Sequence, residues 1–172
     1  MNNQIMPGKK TPSLTISTLN NNEWSLEKNL NDKMTMIVFY RGLHCPICSD
    51  FLKLIESQLE DYEEANTNVI VVSMDSKQKA LKSKEQWTLS KLNIAYELSE
   101  EKAREWGLYI SKAIKEAESD IFCEPGLFII KPDGTLYMVS TSNMPFARPD
   151  ISSLPSKLTF AQKNNYPVRG DK

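Results

Sequence analysis

The chain has 172 residues, of which 40% are hydrophobic and 25% are charged. This is ordinary globular composition, and the length suits one domain, so the sequence predicts a single domain over residues 1–172. With 21 basic and 22 acidic side chains the formal net charge is −1, which argues against general electrostatic binding to nucleic acid or to an anionic membrane.

The search for targeting signals and the number of cysteines bear on the cellular location and on the role of the cysteines. No apolar run approaches the roughly 18 residues of a membrane span, and the first residues lack the apolar core of a signal peptide. A cytoplasmic location is therefore expected. Three cysteines are too few for a disulfide scaffold, and in a reducing compartment a close cysteine pair is typical of a catalytic or metal-binding site.

The first strong element in chain order is the apolar run MTMIVFY at residues 34–40. It fits a central strand that is buried on both faces, and RGLHC then predicts a turn. Apolar residues next recur at helical spacing, at Phe51, Ile55, Leu59 and Tyr62. A helix is expected to begin near Pro46, because a proline suits the first helical turn, where its missing N–H would be unpaired anyway.

This junction between strand and helix carries two cysteines, Cys45 and Cys48. The free N–H groups and the dipole at a helix start stabilise an anion and can lower a thiol pKa from its usual value of about 8.5. The thiolate is the reactive form, and the spacing lets the second cysteine close a disulfide. The pattern favours redox chemistry over inert packing. It also favours redox chemistry over structural zinc, which needs four ligands when only Cys123 and His44 remain as candidates.

Alternating strand and helix patterns follow. Residues 68–74 predict a second buried strand, and Asp75 and Ser76 can cap a helix that runs toward Leu92. Residues 94–98 can form another strand, and residues 100–108 predict a short helix.

The last patterns complete the predicted fold. One or two amphipathic helical turns are expected from the spacing of Ile110, Ala113, Ile114 and Ala117. Two apolar runs within residues 126–140, around Pro132-Asp133-Gly134, predict a hairpin. Strand and helix alternation followed by a hairpin indicates an α/β fold with a mixed sheet.

Several motifs, in their order and spacing, resemble one family. They are MPGKKTPSLTISTLNNNEWSL, VFYRGLHCPIC, AREWGL, EPGLFIIKPDG, ARPD and YPVRG. Together they resemble the thioredoxin-fold superfamily and, within it, the peroxiredoxin-like branch (alkyl hydroperoxide reductase C and thiol-specific antioxidant), in a subgroup that carries a CxxC. The resemblance implies a central mixed β-sheet flanked by helices, with an N-terminal β-hairpin extension and the cysteines at one end. It also implies that Pro125 is a cis-proline facing them, and that the cysteines act without a cofactor or metal.

The resemblance leaves the roles of the two cysteines open. In a peroxiredoxin alignment, Cys48 falls on the peroxidatic cysteine and Cys45 on a threonine or serine. Arg41 then replaces a proline, and Pro125 stands where many members carry an arginine. In a thioredoxin alignment, Cys45 is the nucleophile and Cys48 the resolving cysteine.

Three other residues are candidates for supporting the site. His44 can favour the thiolate or shuttle a proton, or it can be a turn residue that shields the site. Cys123 can be a third redox thiol, although packing at a strand start is favoured. Arg148 lies in the loop TSNMPFARPD, which the hairpin should return to the cysteine end, so it can supply positive charge there or form a surface salt bridge.

The sequence thus predicts a thiol-based oxidoreductase, an enzyme that cycles Cys45 and Cys48 between dithiol and disulfide. The expected partners are a peroxide or disulfide substrate and an external reductant such as a thioredoxin or glutathione system. The alternative is a redox-sensing or interaction module of the same fold without efficient turnover. Cys45 is expected to attack, because it precedes Pro46 at the exposed lip of the turn, with the N–H groups of Ile47 and Cys48 free to point at its sulfur.

Overall fold

A computed structural model describes residues 5–172, so the first four residues of the segment searched for a signal peptide lie outside it. The strands are β1 Thr15–Ser17, β2 Glu23–Ser25, β3 Met34–Phe39, β4 Thr67–Val72, β5 Ile94–Ala95, β6 Ile110–Lys112, β7 Ile121–Cys123, β8 Gly126–Ile130 and β9 Leu136–Thr141. The helices are α1 Leu26–Asn29, α2 Pro46–Ser57, α3 Leu59–Glu64, α4 Lys77–Gln86, α5 Glu100–Glu105 and α6 Leu154–Lys163. Within the described residues, no helix has the length and apolar character needed to cross a membrane.

The centre of the fold is a five-stranded mixed sheet in the order β5-β4-β3-β8-β9. The strands β5, β4 and β3 are parallel, whereas β8 is antiparallel to β3 and β9 to β8. Two antiparallel pairs, β1–β2 and β6–β7, lie outside this sheet. The predicted α/β fold with a central mixed sheet and an N-terminal hairpin is confirmed.

The central strand β3 is buried along its whole length, as its apolar run predicts. Alternate residues face opposite sides of a strand, so Met36 and Val38 join one core cluster while Ile37 and Phe39 join the other. The first cluster also takes apolar residues of α2, α3 and α6, and the second takes those of α1 and α5. Helices therefore cover both faces of the sheet.

Helix α2 begins at Pro46, where the sequence predicts it, with Cys45 as its N-cap. Its buried face consists of Cys48, Ser49, Leu52 and Ile55. The predicted helix divides at Gln58, the C-cap of α2, and continues as α3. The Gln58 amide donates hydrogen bonds to the carbonyl oxygens of Ile151 and Ser152, at 3.3 Å and 3.0 Å, and so ties this break to the chain entering α6.

The predicted hairpin is present as β8 and β9, joined by a turn in which Gly134 has φ +83°. Gly126 pairs with Phe39 at the carboxyl end of β3, and it also pairs with Thr141 at the end of β9. The hairpin therefore runs away from the cysteines and returns the chain to them.

Several local predictions are wrong or too long. The strand expected at 68–74 ends at Val72, and the helix expected at 100–108 ends at Glu105. Residues 110–117 contain strand β6, not helical turns, because Ile110 pairs with Cys123 and the Ala113 N–H bonds to the Asp120 carbonyl. Ile114 is consequently 86% exposed. The expected strand at 94–98 stops at Ala95, and the helix expected to reach Leu92 stops at Gln86. Positive φ angles just beyond, 57° at Glu97 and 56° at Thr88, are incompatible with continuing either element.

Candidate active site

The thiols of Cys45 and Cys48 meet at the start of α2, and both are free. The Cys48 N–H donates to the Cys45 sulfur across 3.2 Å. The Cys45 N–H bonds to the Gly42 carbonyl at 3.1 Å, which folds the turn back over the pair. Cys45 is 1% exposed and Cys48 is 0% exposed, and both join the core cluster beneath α2. The expectation that Cys45 lies at an exposed lip is therefore wrong, because the turn packs into the core.

Arg148 reaches Cys48 from the loop that follows β9. Its Nη2 donates to the Cys48 sulfur at 2.7 Å, and its Nε donates to the Pro145 carbonyl at 2.6 Å. The guanidinium carbon lies 4.9 Å from the centre of the Phe51 ring, so an aromatic face of α2 supports the cation. The hairpin topology predicts this return of the loop, and the structure places Arg148 accordingly.

A second arginine, Arg41, is held beside the turn by a carboxylate that the sequence analysis missed. Arg41 Nε lies 3.0 Å from Glu124 Oε2 as an ion pair that is not aligned as a hydrogen bond. The guanidinium stacks 4.8 Å from the centre of the Phe122 ring. Ser111 donates to the other oxygen, Glu124 Oε1, at 2.7 Å. The available signal was a single acidic residue in the otherwise apolar run IFCEPGLFII.

The pKa values of the two thiols are shifted in opposite directions. The pKa of Cys45 is lowered, first by the hydrogen bond from the Cys48 thiol and then by the Cys48 amide and Arg41. The pKa of Cys48 is raised, mainly by burial and then by its own bond to the Cys45 sulfur. Arg148 opposes this division, since a cation against a sulfur favours its thiolate. The burial of Cys48 outweighs that opposition, so Cys45 is the more acidic thiol of the pair.

His44 and Cys123 lie near the pair without bonding to it. The His44 ring centre is 4.6 Å from that of Phe122, and its Nε2 is buried with no hydrogen-bond partner among residues 5–172. Burial, followed by the charge of Arg41, lowers the pKa of His44. The Cys123 thiol donates to the Tyr40 carbonyl at 3.5 Å, and burial raises its pKa to about 12. These surroundings fit a shielding role for His44 and a packing role for Cys123.

Pro125 is not a cis-proline, since the described residues contain no cis peptide bond. The chain passes directly from β7 into β8, and the Pro125 carbonyl accepts the Ser142 N–H at 3.0 Å. The trans form is the favoured isomer of the peptide bond before a proline, and the chain between β7 and β8 accommodates it. Pro125 still lies at the site, in a small cleft that it lines with Phe51 and Arg148.

The five-stranded mixed sheet flanked by helices is a thioredoxin-like fold, which solved structures share. Similar chains are the peroxidoxin BcpB from Mycobacterium tuberculosis (13% identity, TM-score 0.74, covering 95% of this chain and 100% of that one); a 2-Cys peroxiredoxin from Plasmodium vivax (14%, 0.76, 94% and 99%); and a peroxiredoxin-like protein from Aquifex aeolicus (19%, 0.73, 90% and 86%). At these identities the likeness shows the fold.

The AhpC/TSA family model matches residues 7–139, so the chain belongs to the AhpC/TSA family. It is a peroxiredoxin-like member of the thioredoxin-fold superfamily. No curated protein sequence matches it significantly. Membership of this family supports a thiol-based redox function. Within the part of the chain that the structure describes, no cluster of three or more His, Cys, Asp or Glu side chains could hold a metal ion.

Proposed function

We propose that the protein is a thiol oxidoreductase that cycles Cys45 and Cys48 between a dithiol and an intramolecular disulfide. The carrying observation is the 3.2 Å contact from the Cys48 N–H to the Cys45 sulfur, at a helix start where Arg41 and Arg148 bring positive charge to the pair. Such an arrangement stabilises a thiolate and keeps a second sulfur within reach of the first.

The proposed cycle needs no cofactor, because the peroxide is the oxidant and an external dithiol is the reductant. The Cys45 thiolate attacks a peroxide oxygen, the O–O bond breaks, and the departing alkoxide or hydroxide takes a proton to leave as an alcohol or water. The resulting Cys45 sulfenic acid is attacked by Cys48, which forms the S–S bond and releases water. An external dithiol then reduces the disulfide by exchange. With a disulfide as oxidant, the Cys45 thiolate attacks one sulfur, the substrate S–S bond breaks and one thiol leaves. Cys48 then attacks the Cys45 sulfur of the mixed disulfide and displaces the second thiol.

The electrostatics support Cys45 as the attacking residue and Cys48 as the resolving one. Cys45 is the thiol of the pair whose pKa is lowered, and the Cys48 N–H donates to its sulfur. Once Cys45 is oxidised, its sulfur carries no negative charge and no longer stabilises the protonated form of Cys48. Arg148, 2.7 Å from the Cys48 sulfur, then favours the Cys48 thiolate that the resolving step needs.

Mapping the disulfide tests this proposal. Reduced protein treated with stoichiometric hydrogen peroxide is digested without reductant and analysed by mass spectrometry. The expected product links the peptides of Cys45 and Cys48 and leaves Cys123 free, and the Cys123→Ser protein should give the same link. A dominant link through Cys123, or no disulfide at all, would contradict the proposal.

Turnover separates an enzyme from a redox sensor. Peroxide or a small disulfide is supplied together with a thioredoxin system or, separately, glutathione, and reductant consumption is followed. A reducing compartment such as the cytoplasm would supply such a reductant in the cell. Many cycles per protein molecule are expected. One oxidation without sustained consumption would favour the alternative, a redox-sensing module.

A further inference from the structure

Asp75 is a buried carboxylate that the proposed cycle does not use. It follows β4 and is 1% exposed. The cap of α4 is its neighbour Ser76, whose hydroxyl accepts the Lys79 N–H. The Asp75 side chain instead faces the turn between β3 and α2, where its Oδ2 accepts the Leu43 N–H at 2.8 Å.

The backbone and side chain of Asp75 are both fixed. Its N–H donates to Ser73 Oγ at 3.3 Å, and its carbonyl accepts the Glu97 N–H at 2.8 Å. On the far side of the carboxylate, Ser119 Oγ lies 3.4 Å from Oδ1 and receives a hydrogen bond from Lys79 Nζ at 2.8 Å. The carboxylate is thus preorganised toward the turn and does not depend on the turn for its own position.

The turn is shaped to this carboxylate. Gly42 has φ +135°, and a Cβ at this position would lie 2.6 Å from Asp75 Oδ1 and 2.8 Å from Oδ2. Only a residue without a side chain allows that approach. The Gly42 carbonyl in turn accepts the Cys45 N–H at 3.1 Å. A short chain of contacts therefore runs from Asp75 through Gly42 and Leu43 to the attacking cysteine, without touching either sulfur.

We infer that Asp75 is a positioning residue for the thiol pair: it holds the turn of residues 41–45 so that the Cys45 sulfur stays against the Cys48 amide and the Arg41 guanidinium stays beside it. This inference rests on the proposed function, in which the Cys48 amide and the positive charge of Arg41 contribute to making Cys45 the attacking thiolate. The hydrogen bond to Leu43 performs the task, so an uncharged acceptor of the same shape should also perform it. Burial raises the pKa of the Asp75 carboxyl group, and the hydrogen bond from the Leu43 N–H opposes that rise.

The test compares Asp75→Ala with Asp75→Asn. Two quantities are measured on the reduced full-length protein: amide hydrogen exchange at Leu43, and the rate of Cys45 alkylation against pH. Asp75→Ala should speed exchange at Leu43 and raise the Cys45 thiol pKa by about one unit, which lowers the alkylation rate about tenfold at pH values well below that pKa and by less near neutral pH. Asp75→Asn, which keeps an oxygen for the Leu43 N–H, should titrate like the parent protein.

Asp133→Ala is the matched control. Asp133 Oδ1 also accepts a backbone N–H in a turn, that of Thr135 at 2.9 Å, but at the opposite end of the sheet. Its loss should leave the thiol titration unchanged. An unchanged titration in Asp75→Ala would overturn the inference, as would a rise of a full unit in Asp75→Asn. The second result also decides the matter if Asp75→Ala does not fold. Both measurements concern the reduced protein, so they remain valid even if no Cys45–Cys48 disulfide forms and the proposed function fails.

Discussion

The two ends of the central sheet differ in how deeply they bury charged side chains. Where β3 runs into α2, the side chains of Arg41 and Glu124 are 17% and 4% exposed, and Arg148 contacts a buried sulfur. At the other end, around the β8–β9 turn, Lys10 and Asp133 pair with side chains that are 67% and 60% exposed. Water solvates the second pair, whereas the first group is solvated largely by its own members.

This difference in burial suggests that the charges at the thiol end serve reactivity and not stability. Burying charges costs desolvation free energy that their mutual attraction often fails to recover, so a buried ionic cluster is weak evidence of a stabilising device. The cluster at the thiol end is better explained by what it does to the two sulfurs. We therefore expect substitutions there to change thiol reactivity more than stability, and substitutions at the hairpin end to do the reverse.

The largest effect should come from Leu136→Ala at the hairpin end. Leu136 is 0% exposed in the second core cluster, and replacing a buried leucine with alanine should lower the free energy of unfolding by roughly 2–5 kcal/mol. Denaturant unfolding measures that loss, and the alkylation rate of the reduced protein is followed alongside. The rate should be unchanged while the protein is folded. A slower or faster reaction would show that the two ends are coupled.

The next largest effect should come from the cysteines themselves. Cys45→Ser should lower the reaction rate with a small disulfide reagent by about 100-fold, equivalent to about 2.7 kcal/mol, because a serine hydroxyl does not supply a thiolate. Cys48→Ser should instead trap the mixed disulfide on Cys45. Mass spectrometry distinguishes the two variants by the presence or absence of the trapped mixed disulfide. If Cys45→Ser readily forms a sulfenic acid with peroxide, then Cys48 attacks, and the assignment of roles is reversed.

Local patterns were enough to predict the frame that carries these residues. The run at β3 and the hairpin around Pro132-Asp133-Gly134 are encoded by nearby residues, so both were predicted correctly. The position of Arg148 also followed, because a hairpin must return the chain to the end where it started. Strand β6 was missed because Ile110 becomes extended only by pairing with Cys123, and helical spacing is silent about such a partner.

The burial within the site could not be read from local sequence. Cys45 precedes a helix, a position that is often exposed, and only packing against the rest of the chain covers it. The acidic residues Glu124 and Asp75 were missed as site residues for the same reason, since their partners Arg41 and Leu43 are distant in sequence. A charged residue at the edge of an apolar run indicates such a site, but it does not indicate the partner.

A smaller effect on reactivity is expected from Arg148→Ala. Without the guanidinium at 2.7 Å, the Cys48 thiolate is less favoured, and closure of the disulfide should slow by about tenfold, equivalent to about 1.4 kcal/mol. The free energy of unfolding should change by less than about 1 kcal/mol, because both Arg148 and the Phe51 ring that it contacts are only half-buried. Stopped-flow mixing with peroxide, with a sulfenic acid trap, measures the closure step.

Arg104→Ala provides the control for that experiment. Arg104 pairs with Glu100 on the surface of α5, with side chains that are 61% and 44% exposed, so its loss removes an arginine without approaching the thiols. Disulfide closure should be unaffected in this variant. Equal rates in Arg148→Ala and the parent protein would remove Arg148 from the proposed site and leave it as a packing residue on Phe51.

The smallest effect should be the pH dependence that the thiol pair gives to stability. The folded protein holds the pKa of Cys45 below its unfolded value of about 8.5, so its contribution is fully present above about pH 8.5 and is lost as the pH falls through the folded pKa. Cys48 shifts in the other direction. Below about pH 8.5 it stays protonated whether the chain is folded or unfolded, so it adds no slope in that range.

The free energy of unfolding of the reduced parent protein, relative to Cys45→Ser, should therefore fall by on the order of 1 kcal/mol between about pH 8.5 and pH 5. Urea unfolding of both proteins at several pH values, with reductant present, measures this difference and cancels the titration of groups that do not interact with Cys45. A difference that does not change with pH would mean that the buried charges leave the Cys45 thiol unperturbed. The contrast between the two ends of the sheet would then be one of burial alone, with no chemical consequence at the cysteines.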